Sequence, residues 1–80
     1  MQFESKSKAP AGYGPRIIIR KSKIDITNDV KTVLNNLSCW KSNTSNEPSK
    51  YYLWEFATTD DFKRACNFLR GVGFEQKVIC

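Results

Sequence analysis

The 80-residue chain contains no histidine. That removes Ser-His-Asp and Cys-His catalytic arrangements and every histidine-containing metal site. Its three cysteines, Cys39, Cys66 and Cys80, lie far apart and form no C-x-x-C pair, so the usual zinc-ligand spacing is missing too. No apolar run approaches the roughly 20 residues that a membrane helix needs. Met1-Gln2-Phe3-Glu4 lacks the apolar core of a secretory signal. The expectation is a cytoplasmic protein with reduced thiols and no membrane partner. Phosphate-binding glycine loops are also lacking: Gly12-Tyr13-Gly14-Pro15 and Gly71-Val72-Gly73 fit neither the P-loop nor the dinucleotide fingerprint. Carboxylates are scattered, and the adjacent pair Asp60-Asp61 suits the first turn of a helix. No cofactor is implied, and the chain is expected not to be an enzyme.

What the chain has in excess is positive charge, 13 Lys and Arg against 8 Asp and Glu for a net +5. In residues 1–23, Lys6, Lys8, Arg16, Arg20, Lys21 and Lys23 face only Glu4, whereas residues 24–80 balance seven basic against seven acidic side chains. Residues 1–15 are rich in Ser, Lys, Gly and Pro and offer little to bury, which reads as a disordered basic N-terminal arm. On that reading residues 16–80 form a single small α/β domain that survives loss of the arm.

Ordered structure is expected from Arg16. The β-branched run Ile17-Ile18-Ile19 predicts a strand running on through Arg20 and Lys21, with Ile24-Asp25-Ile26 either its continuation or a short separate strand. Thr27 suits a helix N-cap and Asp29 the first turn. Val30, Val33, Leu34 and Leu37 then share one helical face, which Trp40 extends by a turn. Residues 41–50 are polar and read as a surface loop. The aromatic segment Tyr51–Ala57 predicts a second strand. Thr58 or Thr59 caps a second helix with Phe62, Ala65, Cys66 and Leu69 on its apolar face. Gly71 or Gly73 ends that helix, and Phe74–Cys80 reads as a last strand. The expected fold is α+β, a two-layer α/β sandwich in the order β-α-β-α-β, with a small three-stranded sheet and both helices on one face.

A shift of 32 positions superposes Thr27, Asp29, Lys31, Asn35 and Leu37 on Thr59, Asp61, Lys63, Asn67 and Leu69. Two capped amphipathic helices that start with the same grammar account for this, and an internal duplication is the alternative. Arg70-Gly71-Val72-Gly73-Phe74 is similar to the opening of the main RNA-binding signature of the RNA recognition motif. That signature calls for aromatics where Val72 and Lys77 stand and for an apolar residue at Glu75, so helix-ending glycines are the better account of the segment.

Strand alternation separates Tyr52, Trp54 and Phe56 from Tyr51, Leu53 and Glu55. The first set is expected beneath the helices, because burying Glu55 without a partner is costly. Tyr51 then stands on the open face, where a neighbouring strand bearing Arg20, Lys21 or Lys23 brings cations to an aromatic ring. The first functional expectation is therefore a nucleic-acid (RNA or DNA) binding module, with Lys6, Lys8, Arg16, Arg20, Lys21, Lys23 and Tyr51 as contacts. The alternative is a protein-binding regulator that meets an acidic protein surface. A virus- or mobile-element-encoded inhibitor of a larger assembly would be of this kind. It would act by strand addition or as a homodimer.

Overall fold

The structure, a computed structural model, describes residues 1–8, 12–21, 26–42 and 51–79. In the segment Gln-Phe-Glu-Ser-Lys, every second residue turns inward: Phe3 and Ser5 are buried and their neighbours are not. That alternation makes Gln2–Lys6 a strand, β1. It is followed by β2 (Arg16–Arg20), α1 (Asn28–Leu37), β3 (Trp40–Ser42), β4 (Tyr51–Glu55), α2 (Thr59–Gly71) and β5 (Glu75–Val78). The strands form one mixed sheet in the order β3-β4-β2-β1-β5. Only β1 and β5 pair in parallel; the other neighbours are antiparallel.

The fold is thus α+β, and the described residues form two helices and a sheet of five strands where three were expected. The disordered arm is the main correction. Gln2–Lys6 contain a single apolar side chain and resemble a tail, yet their backbone is satisfied on both sides, by β2 and by β5. Phe3 has no exposed surface. A fold that stands without residues 1–15 is therefore not what the structure describes, because β1 is the sheet neighbour that holds β5. Trp40 is the second correction. Ser38 adopts an extended conformation that stops α1, and Cys39 N–H bonds the Glu55 carbonyl at 2.9 Å, so the chain turns into β3 beside β4. Lys41 and Ser42 belong to that strand rather than to a loop. Ile24 and Asp25 lie outside the described residues, whereas Ile26 is buried just before α1.

The remaining elements follow local chemistry. Thr27 Oγ1 accepts from Val30 N–H at 3.4 Å, and Thr58 Oγ1 accepts from Asp61 N–H at 3.2 Å. The core positions Val30 and Leu34 correspond to Phe62 and Cys66 at the 32-residue shift, but the two caps are 31 apart. Thr59, the counterpart of Thr27 in sequence, is already helical. The likeness therefore lies in the buried faces and not in the helix starts. Gly71 is the last helical residue and Gly73, at φ +99°, takes the left-handed conformation that releases the chain into β5.

Both helices pack on the face that carries Phe3, Ile17, Ile19, Tyr52 and Trp54. Two crossovers bring this about, β2-α1-β3 and β4-α2-β5, and they step outward in opposite directions from strands of opposite sense. Crossovers of one hand then lay both helices on the same side. Trp54 Nε1 donates to Asn35 Oδ1 at 2.8 Å, which satisfies the buried indole and ties β4 to α1. Gly14 allows a close approach: a Cβ there would lie 1.9 Å from the Phe56 carbonyl oxygen. Next to it, Phe56 N–H bonds the Pro15 carbonyl at 2.8 Å.

A domain of this size has roughly 4–12 kcal/mol of stability, and truncating a buried Phe costs about 3–5 kcal/mol. Phe3→Ala is therefore expected to remove much of the stability, and Gly14→Ala to destabilise through its backbone clash. Urea denaturation followed by circular dichroism measures both. A Phe3→Ala midpoint equal to that of the parent would mean that β1 does not hold the core.

Candidate nucleic-acid interface

The register that buries the core also fixes which side chains meet on the other face. There, one row across the strands reads Trp40, Glu55, Arg16, Lys6. The next reads Leu53, Ile18, Glu4, Lys77, and in a third Tyr51 stands opposite Arg20. No described helix packs on this face. Ile18 and Leu53 are half-buried at its centre. Trp40 at 52% and Tyr51 at 40% exposure stand above it towards the β3 side.

Two ion pairs span the strands. Arg20 Nε lies 2.8 Å from Glu4 Oε2, and its Nη2 reaches Oε1 at 3.4 Å. Arg16 Nη2 is 3.5 Å from Glu55 Oε1, and its guanidinium lies 4.8 Å from the centre of the Tyr13 ring. Arg16 Nε has no hydrogen-bond partner among the described residues. Both pairs are partly shielded: only Arg20 is well exposed, while Glu4, Arg16 and Glu55 are half-buried. Pairs at a protein surface contribute about 0–1 kcal/mol. The face carries Lys6, Arg16, Arg20 and Lys77 against Glu4, Glu55 and Glu75, so its charge is close to balanced.

The structure brings together four of the expected contact residues, Lys6, Arg16, Arg20 and Tyr51. Lys8 is exposed beyond the end of β1. Lys21 goes to the other side: its Nζ lies 4.9 Å from the centre of the Tyr52 ring, as does that of Lys31. Lys23 lies outside the described residues. Trp40 and Lys77 join the face without having been expected. Trp40 sits three residues after Leu37 and seven after Val33, spacings that also fit a helical face, so periodicity alone misassigns it. Lys77 is placed only by the pairing of β5 with β1.

Among the described residues, no cluster of His, Cys, Asp and Glu could hold a metal, and no helix is long and apolar enough to cross a membrane. The described thiols, Cys39 and Cys66, are free. Cys39 is exposed, with its Sγ donating to the Glu55 carbonyl at 3.4 Å. Cys66 is buried on the inner face of α2, where desolvation pushes its pKa above the ordinary thiol value and Arg70 offsets part of that rise. No known protein family, curated protein or solved structure matches the chain.

Burial makes Cys66 a packing residue with its proton held. In a Cys80→Ser protein, Ellman's reagent is expected to label Cys39 fast and Cys66 only as the chain unfolds. Because the unfolded thiol ionises first, stability from Cys66 is complete below the ordinary thiol pKa and falls as pH rises towards the folded value. The urea midpoint should therefore drop more steeply at alkaline pH in this protein than in its Cys66→Ala counterpart. Equal labelling rates for the two thiols would contradict the placement of Cys66.

Proposed function

We propose that this chain is a non-enzymatic binding module whose open sheet face takes single-stranded nucleic acid. The observation that carries the reading is the pair of exposed rings, Trp40 and Tyr51, on one face with Lys6, Arg16, Arg20 and Lys77. Unpaired bases stack on such rings, each worth about 1–3 kcal/mol, and the cations follow the phosphates. Near-balanced charge and protruding rings favour single strands over duplexes, whose bases are already stacked. The basic character of the first 23 residues is used through strand positions rather than through a free arm.

Fluorescence anisotropy with labelled single-stranded and duplex oligonucleotides, at low and high salt, tests this. Single strands should bind more tightly. With about −0.7 per phosphate in the log–log salt slope, four cations limit the slope to about −3. Trp40→Ala and Tyr51→Ala should each weaken binding by roughly 5- to 150-fold. Binding that prefers duplex and ignores both substitutions would sink the reading.

A second reading, a protein-binding regulator that works by strand addition, is favoured by the outer edge of β5, which no described strand covers.

A further inference from the structure

The backbone of β5 is used on one side only. Glu75 N–H bonds the Met1 carbonyl at 2.9 Å and Ile79 N–H bonds the Ser5 carbonyl at 2.8 Å. Strand alternation then turns the N–H and C=O groups of Gln76 and Val78 outward, away from β1. An exposed edge of this kind is a template for another strand. Apolar side chains remain exposed along it, Val78 at 67% and Ile79 at 44%.

Beside this edge, on the helical face, lies a groove of about 390 Å³ between α2 and β5. Gln76 Nε2 donates to the buried Ser5 Oγ at 2.9 Å and forms part of its floor. Lys63, Asn67 and Arg70 of α2 form its wall, and no carboxylate lines it. Asn67 accepts a hydrogen bond from Arg70, which places the guanidinium along the wall. Lys63 and Arg70 are two turns apart, about 10.5 Å along the helix. An extended chain covers that span in about three residues.

We propose that the groove between α2 and the free edge of β5 takes an extended acidic segment of a partner protein by strand addition. The proposal rests on the protein-binding reading and names its partner class. Residues of an added strand that lie opposite Gln76 and Val78 turn their side chains to the same face as those residues, into the groove. Acidic residues at these alternate positions lie between Lys63 and Arg70. A second copy of this chain fits less well. Pairing β5 with β5 would bring the Lys63 and Arg70 of one copy towards those of the other, in a chain of net charge +5.

The test uses the full chain and labelled eight-residue peptides of alternating valine with glutamate, glutamine or lysine. The glutamate peptide should bind best, with amide shifts centred on Gln76 and Val78 in NMR spectra. Lys63→Glu combined with Arg70→Glu, both exposed positions, should weaken it at least tenfold. Val78→Pro removes an outward N–H while sparing the bonds to β1. It should abolish peptide binding without altering the circular dichroism spectrum. Should that variant fail to fold, the NMR shifts decide: a footprint elsewhere overturns strand addition, and with it the protein-binding reading. Equal affinity for the glutamate and glutamine peptides at the β5 edge overturns the acidic assignment and leaves strand addition standing. Sedimentation showing a dimer that the Lys63→Glu, Arg70→Glu protein strengthens assigns the edge to a second copy and overturns the proposal.

Discussion

The pairing of β1 with both β2 and β5 is the constraint on which the rest of this structure depends. Among the described strands β5 pairs with β1 alone, so β5 is held by the N-terminal strand. Phe3 fills the space between the sheet and the helices, and Ser5 accepts from Gln76 across 71 positions of sequence. Such pairing is entropically expensive, because a long loop must close before any bond forms. Local helix formation cannot substitute for it, since α1 and α2 need an assembled sheet to cover. The β1–β5 ladder is accordingly expected to form late relative to the β2–β4 pairing, where fewer residues intervene.

That same ladder determines what the two faces offer. On the helical side, Gln76 and Val78 of β5 turn towards α2, and the cationic groove lies between the two elements. On the open side, β1 places Glu4 opposite Ile18 and Lys77, within reach of Arg20. The carboxylate consequently lies within a basic neighbourhood and neutralises part of it. Charge that is concentrated in the first 23 residues of the sequence is distributed in space over a face, an edge and the rim of the core. Lys21 illustrates this, because it spends its charge on the Tyr52 ring rather than on the open face.

Much of this was legible without coordinates, wherever the signal is local. Helix caps at Thr27 and Thr58, the apolar faces of both helices, the burial of Tyr52, Trp54 and Phe56, and the outward Tyr51 all follow from spacing and from side-chain chemistry. The part that was not legible depends on pairing between distant segments. Gln2–Lys6 have one apolar side chain, and nothing within those five residues announces a partner more than seventy positions away. Trp40 is misleading for a different reason. Its spacing from Val33 and Leu37 fits a helix, and only the extended conformation of Ser38 and the bond from Cys39 to Glu55 turn it outward. At the candidate site, of the three cations offered as neighbours of Tyr51, namely Arg20, Lys21 and Lys23, it is Arg20 that stands opposite the ring, whereas Lys77 reaches the face only because β5 lies parallel to β1.

The difference between a basic arm and a basic strand changes the physics of any nucleic-acid contact. A free arm binds chiefly by counterion release, which favours the more densely charged duplex, and loses affinity steeply with salt. A face on which four cations are countered by three carboxylates has little net field beyond a Debye length of about 8–10 Å. Long-range attraction to a polyanion is then weak, and affinity must come from contact. The contact groups that remain are aromatic rings, whose stacking requires bases that are not already paired and stacked. Ile18 and Leu53 are half-buried in the row between the two ion pairs, and an arginine–phosphate bond formed beside such apolar side chains would gain from the lower local dielectric. On the proposed reading, the ion pairs hold the guanidiniums across the face, and a phosphate would take the carboxylate's place as their partner.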